Sequence, residues 1–209
     1  MSNARNLANL LGTKTKVKDV DVDGTELILD SDGDSSIQAS TDDIVVLKTN
    51  SNTALNIDAN GHITKPLQTA FSVTKSGAQN NMPVNSDTAI TFDTERFDQN
   101  ADFASNTFTA PVTGRYQLNA NVNMSFLDTD ATFVIIYINT SNKKYLSFID
   151  PRQFNGDLGA ITINHSVVAD MDANDTSTVS FLQSGGSNIL SIGGGTGDVG
   201  TQFSGYLVC

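Results

Sequence analysis

Cysteine is almost absent from these 209 residues: Cys209, the last, is the only one. No internal disulfide framework is open to the chain, and a reducing place of synthesis is compatible with its composition. Glutamate is nearly missing as well. Glu26 and Glu95 are the only two among 23 acidic residues, against 12 Lys and Arg, and the formal net charge is −11. Aspartate favours turns and caps whereas glutamate favours helix interiors, so an acidic surface built from Asp points to strands joined by turns. Such a surface repels phosphate backbones, and nucleic acid is not an expected partner. Long hydrophobic runs are lacking too: none approaches the ~18 apolar residues of a membrane span. The opening MSNARNLANLLG is too short and polar for the apolar stretch of a secretory signal. The expectation is a protein made in a cytoplasm and not inserted into a membrane.

Catalytic constellations are equally scarce. His62 and His165 have no nearby His or Cys with which to hold zinc. No Gly-x-Ser-x-Gly elbow or P-loop occurs. GTGDVG (195–200) matches Gly-x-Gly-x-x-Gly, yet the strand-like TQFSGYLV follows it where a dinucleotide loop opens a helix. Paired carboxylates could hydrolyse glycans, but Asp is so abundant that two of them close together carry little information. No enzyme and no obligatory cofactor are expected. DVDVDGTELILD (19–30) nearly spells a calcium-binding EF-hand loop. Its last position is Asp30 rather than Glu, and neither flank has helical periodicity, so a strand and hairpin turn is the preferred reading.

Asn3 caps an expected short helix over 4–11, ended by Gly12, and residues 1–12 are read as an attachment segment. It is too short to be stable without a partner. Residues 13–65 read as short strands and acidic turns: LILDSDGDSSI (27–37) is echoed by LNIDANGHI (55–63), with IVVLK (44–48) between. So few residues cannot bury an adequate core alone, which makes this a β-rich stalk that is stable as an oligomer. Lys65-Pro66 marks the boundary of a head over 66–209. Its clearest strand is RYQLNANVNMSF (115–126). Tyr116, Leu118, Ala120, Val122, Met124 and Phe126 share one face, with Gln117, Asn119, Asn121, Asn123 and Ser125 on the other. FVIIYI (133–138) is apolar on both faces, so Phe133, Ile135 and Tyr137 need a second cover, from a neighbouring subunit or from the chain's own loops. Further strands are expected near 69–74, 89–94, 143–149, 160–169, 177–183 and 202–208. The fold class is all-β: an antiparallel jelly-roll sandwich head preceded by the oligomeric stalk and one short N-terminal helix.

Phe92, Asp98, Phe103, Phe108, Gly114, Tyr116 and Leu118 stand in an order that resembles the signature of the complement-component-1q-like globular head, a relative of the tumour-necrosis-factor jelly roll. FSGYLV (203–208) is similar to that family's closing strand, and VADMDANDTSTVSF (168–181) to the turn and strand before it. The four residues between Phe103 and Phe108 are fewer than the family usually has, which shortens a turn. MSNARNLANLLG and ELILDSDGDSSI resemble, more loosely, the acidic opening segments of bacteriophage fibre proteins.

Together the two resemblances imply a homotrimeric virion fibre, made in the host cytoplasm, with its N-terminus on other virion proteins. The head would then bind a host-surface glycan or protein. A decoration or collar protein that recognises nothing is the alternative, and a glycan-degrading spike a third. Alternating strand directions put loops 75–88, 127–130, 150–159 and 184–201 at the far end of the head. Arg152, Phe154, Asn155, Asp157 and Asn188 are the receptor-contact candidates there. Phe133, Ile135 and Tyr137 are the trimer-interface candidates. Asp128 and Asp130 near a three-fold axis could gather oxygens for calcium.

Overall fold

The computed structural model describes residues 25–39, 41–187, 190–197 and 200–209. The expected helix over 4–11, the DVDVDG stretch and Asn188 lie outside them. The chain divides into two compact units, Met1–Pro66 and Leu67–Cys209.

In the first unit the apolar stretches are short and the turns decide the pairing. β1 (Leu27–Ile28), β2 (Ser36–Gln38), β3 (Val45–Thr49), β4 (Asn52–Ile57) and β5 (Ile63–Thr64) form one antiparallel sheet, each strand beside the next. Asp30 Oδ1 accepts the N–H groups of Gly33 at 3.1 Å and Ser35 at 3.3 Å. Asp58 Oδ1 accepts those of Asn60 and His62, both at 2.9 Å. Gly33 and Gly61, each three residues after its Asp, take φ of +83° and +82°, where other residues are strained. The echoed D-x-D-G and D-x-N-G are thus one hairpin device used twice. Among the described residues of this unit only Ser36 is fully buried. The described residues of this unit form no core of their own.

The second unit is a sandwich. Its strands are β6 (Ala70–Thr74), β7 (Thr88–Ala89), β8 (Thr94–Asp98), β9 (Phe103–Ala104), β10 (Thr107–Thr109), β11 (Gly114–Leu127), β12 (Ala131–Thr140), β13 (Lys144–Ile149), β14 (Leu158–Met171), β15 (Thr176–Gly185), β16 (Ser191–Ile192) and β17 (Gln202–Leu207). One sheet runs β14-β11-β17-β6-β8 with β16 against β11; the other runs β13-β12-β15-β10-β9 with β7 against β15. Every ladder is antiparallel and the long strands alternate between sheets, the expected jelly-roll order. Between the sheets lie stacked rings: Phe71 is 4.7 Å from Phe108 and 5.3 Å from Phe103, centroid to centroid.

Two details differ from the sequence pattern. The expected strand over 89–94 is a crossing between sheets. The N–H of Ile90 bonds Val179 in one sheet and that of Asp93 bonds Thr74 in the other, with Ile90 and Phe92 buried on the way. The alternation of 115–126 holds only to Ser125. Ser125 pairs with Ala160 and Leu127 with Leu158, so the register is unbroken; Phe126, unpaired between them at φ +64°, is turned outward and 63% exposed, and Leu127 takes the core position.

Candidate functional site

Hydrogen bonds tie loops together at both ends of the sandwich: where β11 starts, Ala173 donates its N–H to Thr113 Oγ1 at 3.1 Å and Asn142 Nδ2 donates to Asp175 Oδ2 at 2.6 Å, and a second set lies where β11 finishes. Asn85 Oδ1 accepts the N–H of Gly185 at 2.9 Å, tying 75–88 to the end of β15. Asp128 is buried; its Oδ1 accepts the N–H of Asp130 at 2.8 Å and its Oδ2 that of Ser187 at 2.6 Å. Thr129 donates both its N–H and its hydroxyl to Asp157 Oδ1, at 2.9 and 2.8 Å. Four chain segments are thereby held together: 75–88, 127–130, 150–157 and 183–187. What they display is largely aromatic, amide and hydroxyl: Phe126 and Phe154, both exposed, with Asn155 and the Thr129 loop beside them.

Of the expected contact residues, Arg152, Phe154, Asn155 and Asp157 sit on one loop around the single 3₁₀ turn among the described residues, Pro151–Gln153. Arg152 is clamped by its neighbour: Nε and Nη2 donate to the two oxygens of Asp150 at 2.8 and 2.7 Å. That pairing holds the Asp150 carboxyl below, and the Arg152 guanidinium above, its ordinary value. Asp157 faces Thr129 within the loop cluster. Phe154 and Asn155 point outward. Asp128 serves as a structural carboxylate, whereas Asp130 is exposed. A separate carboxylate group is Asp30, Asp32 and Asp34, each with an oxygen within 4.8 Å of the others' in the β1–β2 turn. Sequence reasoning missed Phe126, which it assigned to the core; the adjacent apolar Leu127, which breaks the alternation, was the available signal.

The broad outward face of β14, β11, β17 and β6 has a different character. Asn119, Asn121 and Asn123 line up with Ser166, Asn164 and Thr162 on one side and Asn119 and Asn121 with Ser204 and Gln202 on the other; Gln117 lies between half-exposed Val168 and Tyr206, and the Arg115–Asp170 ion pair stands at the end of the face. They bond one another, as Gln117 Nε2 to Ser166 Oγ at 2.7 Å, Ser166 Oγ to Asn119 Oδ1 at 2.8 Å and Asn123 Nδ2 to Thr162 Oγ1 at 3.0 Å. Phe133, Ile135 and Tyr137 lie on the other sheet, on the outward side of β12. There Phe133 meets Phe148 at 5.8 Å, Lys144 Nζ caps Tyr137 at 5.2 Å from the ring centroid, and Ile135 is covered by its own neighbours to 8% exposure.

The residues that carry the sequence signature are structural. Phe103, Phe108, Tyr116 and Leu118 are core; the Tyr116 hydroxyl donates to Val112 O at 2.7 Å; Asp98 accepts the N–H groups of Asp102 and Phe103 at 3.0 and 2.8 Å. The family model for the C1q domain matches residues 70–208. The chain belongs to the C1q domain family. Domains of this C1q and tumour-necrosis-factor-like kind are often trimeric and are generally binding modules rather than enzymes. Two solved structures are similar to the C1q unit of this chain. The globular domain of zebrafish complement 1qA is 17% identical with a TM-score of 0.49, over 68% of this chain and 98% of that one. Murine APRIL at pH 8.5 is 9% identical with a TM-score of 0.47, over 68% and 99%. Comparison with curated proteins returns no match.

Proposed function

We propose that the chain forms a homotrimeric, fibre-type virion protein that binds the host cell surface through the loop end of its C1q head. The observation that carries this reading is the tie of four segments at one end around an exposed Phe126. A phenylalanine held at positive φ with most of its ring in solvent serves neither packing nor backbone comfort, and such outliers gather at binding sites. Phe154, Asn155 and the Arg152–Asp150 pair extend the surface in kinds suited to sugar or protein contact. The amide- and hydroxyl-rich face of β14, β11, β17 and β6, whose Arg115–Asp170 ion pair is neutral in sum, is the proposed contact between heads, because on a chain of net charge −11 it is where like copies meet without repulsion. Phe133, Ile135 and Tyr137 are then left on the outside of the trimer. The virion setting is supported by the resemblance of the opening segments to phage fibres.

Adsorption tests the reading. Fluorescently labelled full-length protein, incubated with a panel of bacterial strains, is expected to bind a subset, with Phe126→Ser and Phe154→Ala variants of unchanged mass losing ten-fold or more of the signal. Binding to no strain would favour the second reading, a decoration or collar protein. One observation speaks for that reading: Arg152 and Asp157 are both engaged within the loop cluster. Deletion would then lower particle stability without changing adsorption.

A further inference from the structure

The register of β1 to β5 sorts their side chains onto two unlike faces. Residues directly opposite in an antiparallel pair share a face, and successive residues alternate. Leu27 stands opposite Ile37, Ile37 opposite Leu47, Leu47 opposite Leu55, Val45 opposite Ile57 and Ile57 opposite Ile63. These seven side chains occupy one face, and all are aliphatic. The other face pairs Ser36 with Lys48 and Asn56 with Thr64, and carries Gln38 opposite Val46 and Ile28 opposite Ser36. It is internally bonded: Lys48 Nζ donates to Glu26 Oε1 at 3.2 Å and to Gln38 Oε1 at 2.9 Å, and Ser36 Oγ also donates to Glu26. The aliphatic face is open, with Leu27 44%, Ile37 38%, Val45 42% and Ile63 61% exposed.

We infer that this aliphatic face is closed by the same face of two further copies of the chain, so that residues 25–66 form one wall of a three-walled stalk with a dry interior. The number of copies rests on the trimer proposed for the head; the identity of the face rests on the register alone. The strands are two to six residues long, and at about 3.3 Å per residue and about 4.8 Å between strands the face presents roughly 300 Å². Three such faces bury on the order of 900 Å² in total, less than the ~1,200 Å² of a specific interface standing alone, so the stalk contact adds to the one proposed between heads. Charge allows the arrangement. The face carries no ionisable group, and the carboxylates of Asp30, Asp32, Asp34, Asp42, Asp43 and Asp58 sit in turns beyond the strand ends. Three copies therefore converge without bringing like charges onto the axis. A second copy is also the one partner that arrives at a fixed ratio with each head.

Thiol pairing in the full-length chain tests this. In a Cys209→Ser background, Leu47→Cys places a thiol at the centre of the aliphatic face and Asn56→Cys places one on the polar face. Each is treated with copper phenanthroline as oxidant, with the mass before oxidation measured by light scattering. The expected result is a trimer for both, with covalent dimers formed at least ten-fold faster from Leu47→Cys. Val45→Cys repeats the experiment at an exposed position should the central substitution disturb folding. A trimer whose Leu47 and Val45 thiols link no faster than Asn56 overturns the inference while leaving the trimeric head intact. In that case the cover is residues 1–24 or another protein. A folded monomer overturns both this inference and the proposed function.

Discussion

A phenylalanine in the left-handed region costs its strand about 1–2 kcal/mol, and Phe126 at φ +64° returns little of that through burial. Phe126→Asn, a residue that tolerates this backbone, should therefore raise the melting temperature of the full-length protein by about 2–4 °C while weakening cell binding. Circular dichroism melts read the first effect, and a lowered Tm would show that the ring packs in a way its exposure conceals. Asp128 makes the opposite case. Its carboxylate holds Ser187 and Asp130, so Asp128→Asn is expected to cost about 1.5–3 kcal/mol. Chelator should leave the wild-type melting curve where it is; a drop on adding EDTA would restore calcium to that end of the head. His165 supplies a pH signature. Burial pushes its pKa below the ordinary histidine value, against a hydrogen bond the ring donates to the Tyr145 backbone, and its Nε2 is buried with no hydrogen-bond partner among the described residues. A depressed histidine stabilises the fold in full above pH 6.5 and loses that contribution as pH falls through the lowered value. The urea midpoint should then decline between pH 7.5 and 5 in the wild type and decline less in His165→Gln. Equal slopes would assign the pH dependence to other groups.

Among elements, β11 was legible because eleven consecutive residues, Tyr116–Phe126, alternate apolar with Asn, Gln or Ser, a period that no helix reproduces. FVIIYI was legible as two-sided but not as to its cover, because Phe148, Leu146 and Leu182 reach Ile135 and Tyr137 only through cross-strand pairing. The crossing at 90–93 was hidden for a related reason: buried Ile90 and Phe92 alternate like strand residues while their N–H groups bond different sheets. The aliphatic face of β1 to β5 was invisible because β1, β2 and β5 have only two or three residues and show no period, while Val45 and Val46 put apolar side chains on both faces of β3. The face exists only in the register between strands. Close approach leaves one further mark. A Cβ on Gly205 would lie 2.8 Å from Leu118 Cδ2 and Phe71 Cε1 and 2.9 Å from Gln117 O. Gly205→Ala should cost about 1–3 kcal/mol by overpacking, whereas Gly77→Ala, with open space around it, should stay within about 0.5 kcal/mol. Equal urea midpoints for the two variants would mean that β17 can shift away from β11.

For the whole molecule, a C1q unit with its own core and a first unit whose described residues form none are expected to respond differently to dilution. If the aliphatic face is covered by other copies, amides of β3 and β4 should lose exchange protection as the protein is diluted, before those of β11 and β15 do. Hydrogen exchange followed by mass spectrometry over a concentration series reads this directly; protection of β3 and β4 that ignores concentration would place the cover within a single chain. The C1q unit also has a mechanical axis. The chain enters it beside Leu207, whose N–H bonds Thr69, while the opposite end carries Phe126 and the tied loops. Between those ends β11 and β14 stay in register from Gly114 and Met171 to Leu127 and Leu158. A pull between Thr69 and the loop end would run along the strands and load the β11–β14 ladder in shear, where the bonds must fail together, rather than peeling them one by one. A C1q unit built this way keeps its shape under tension along that axis.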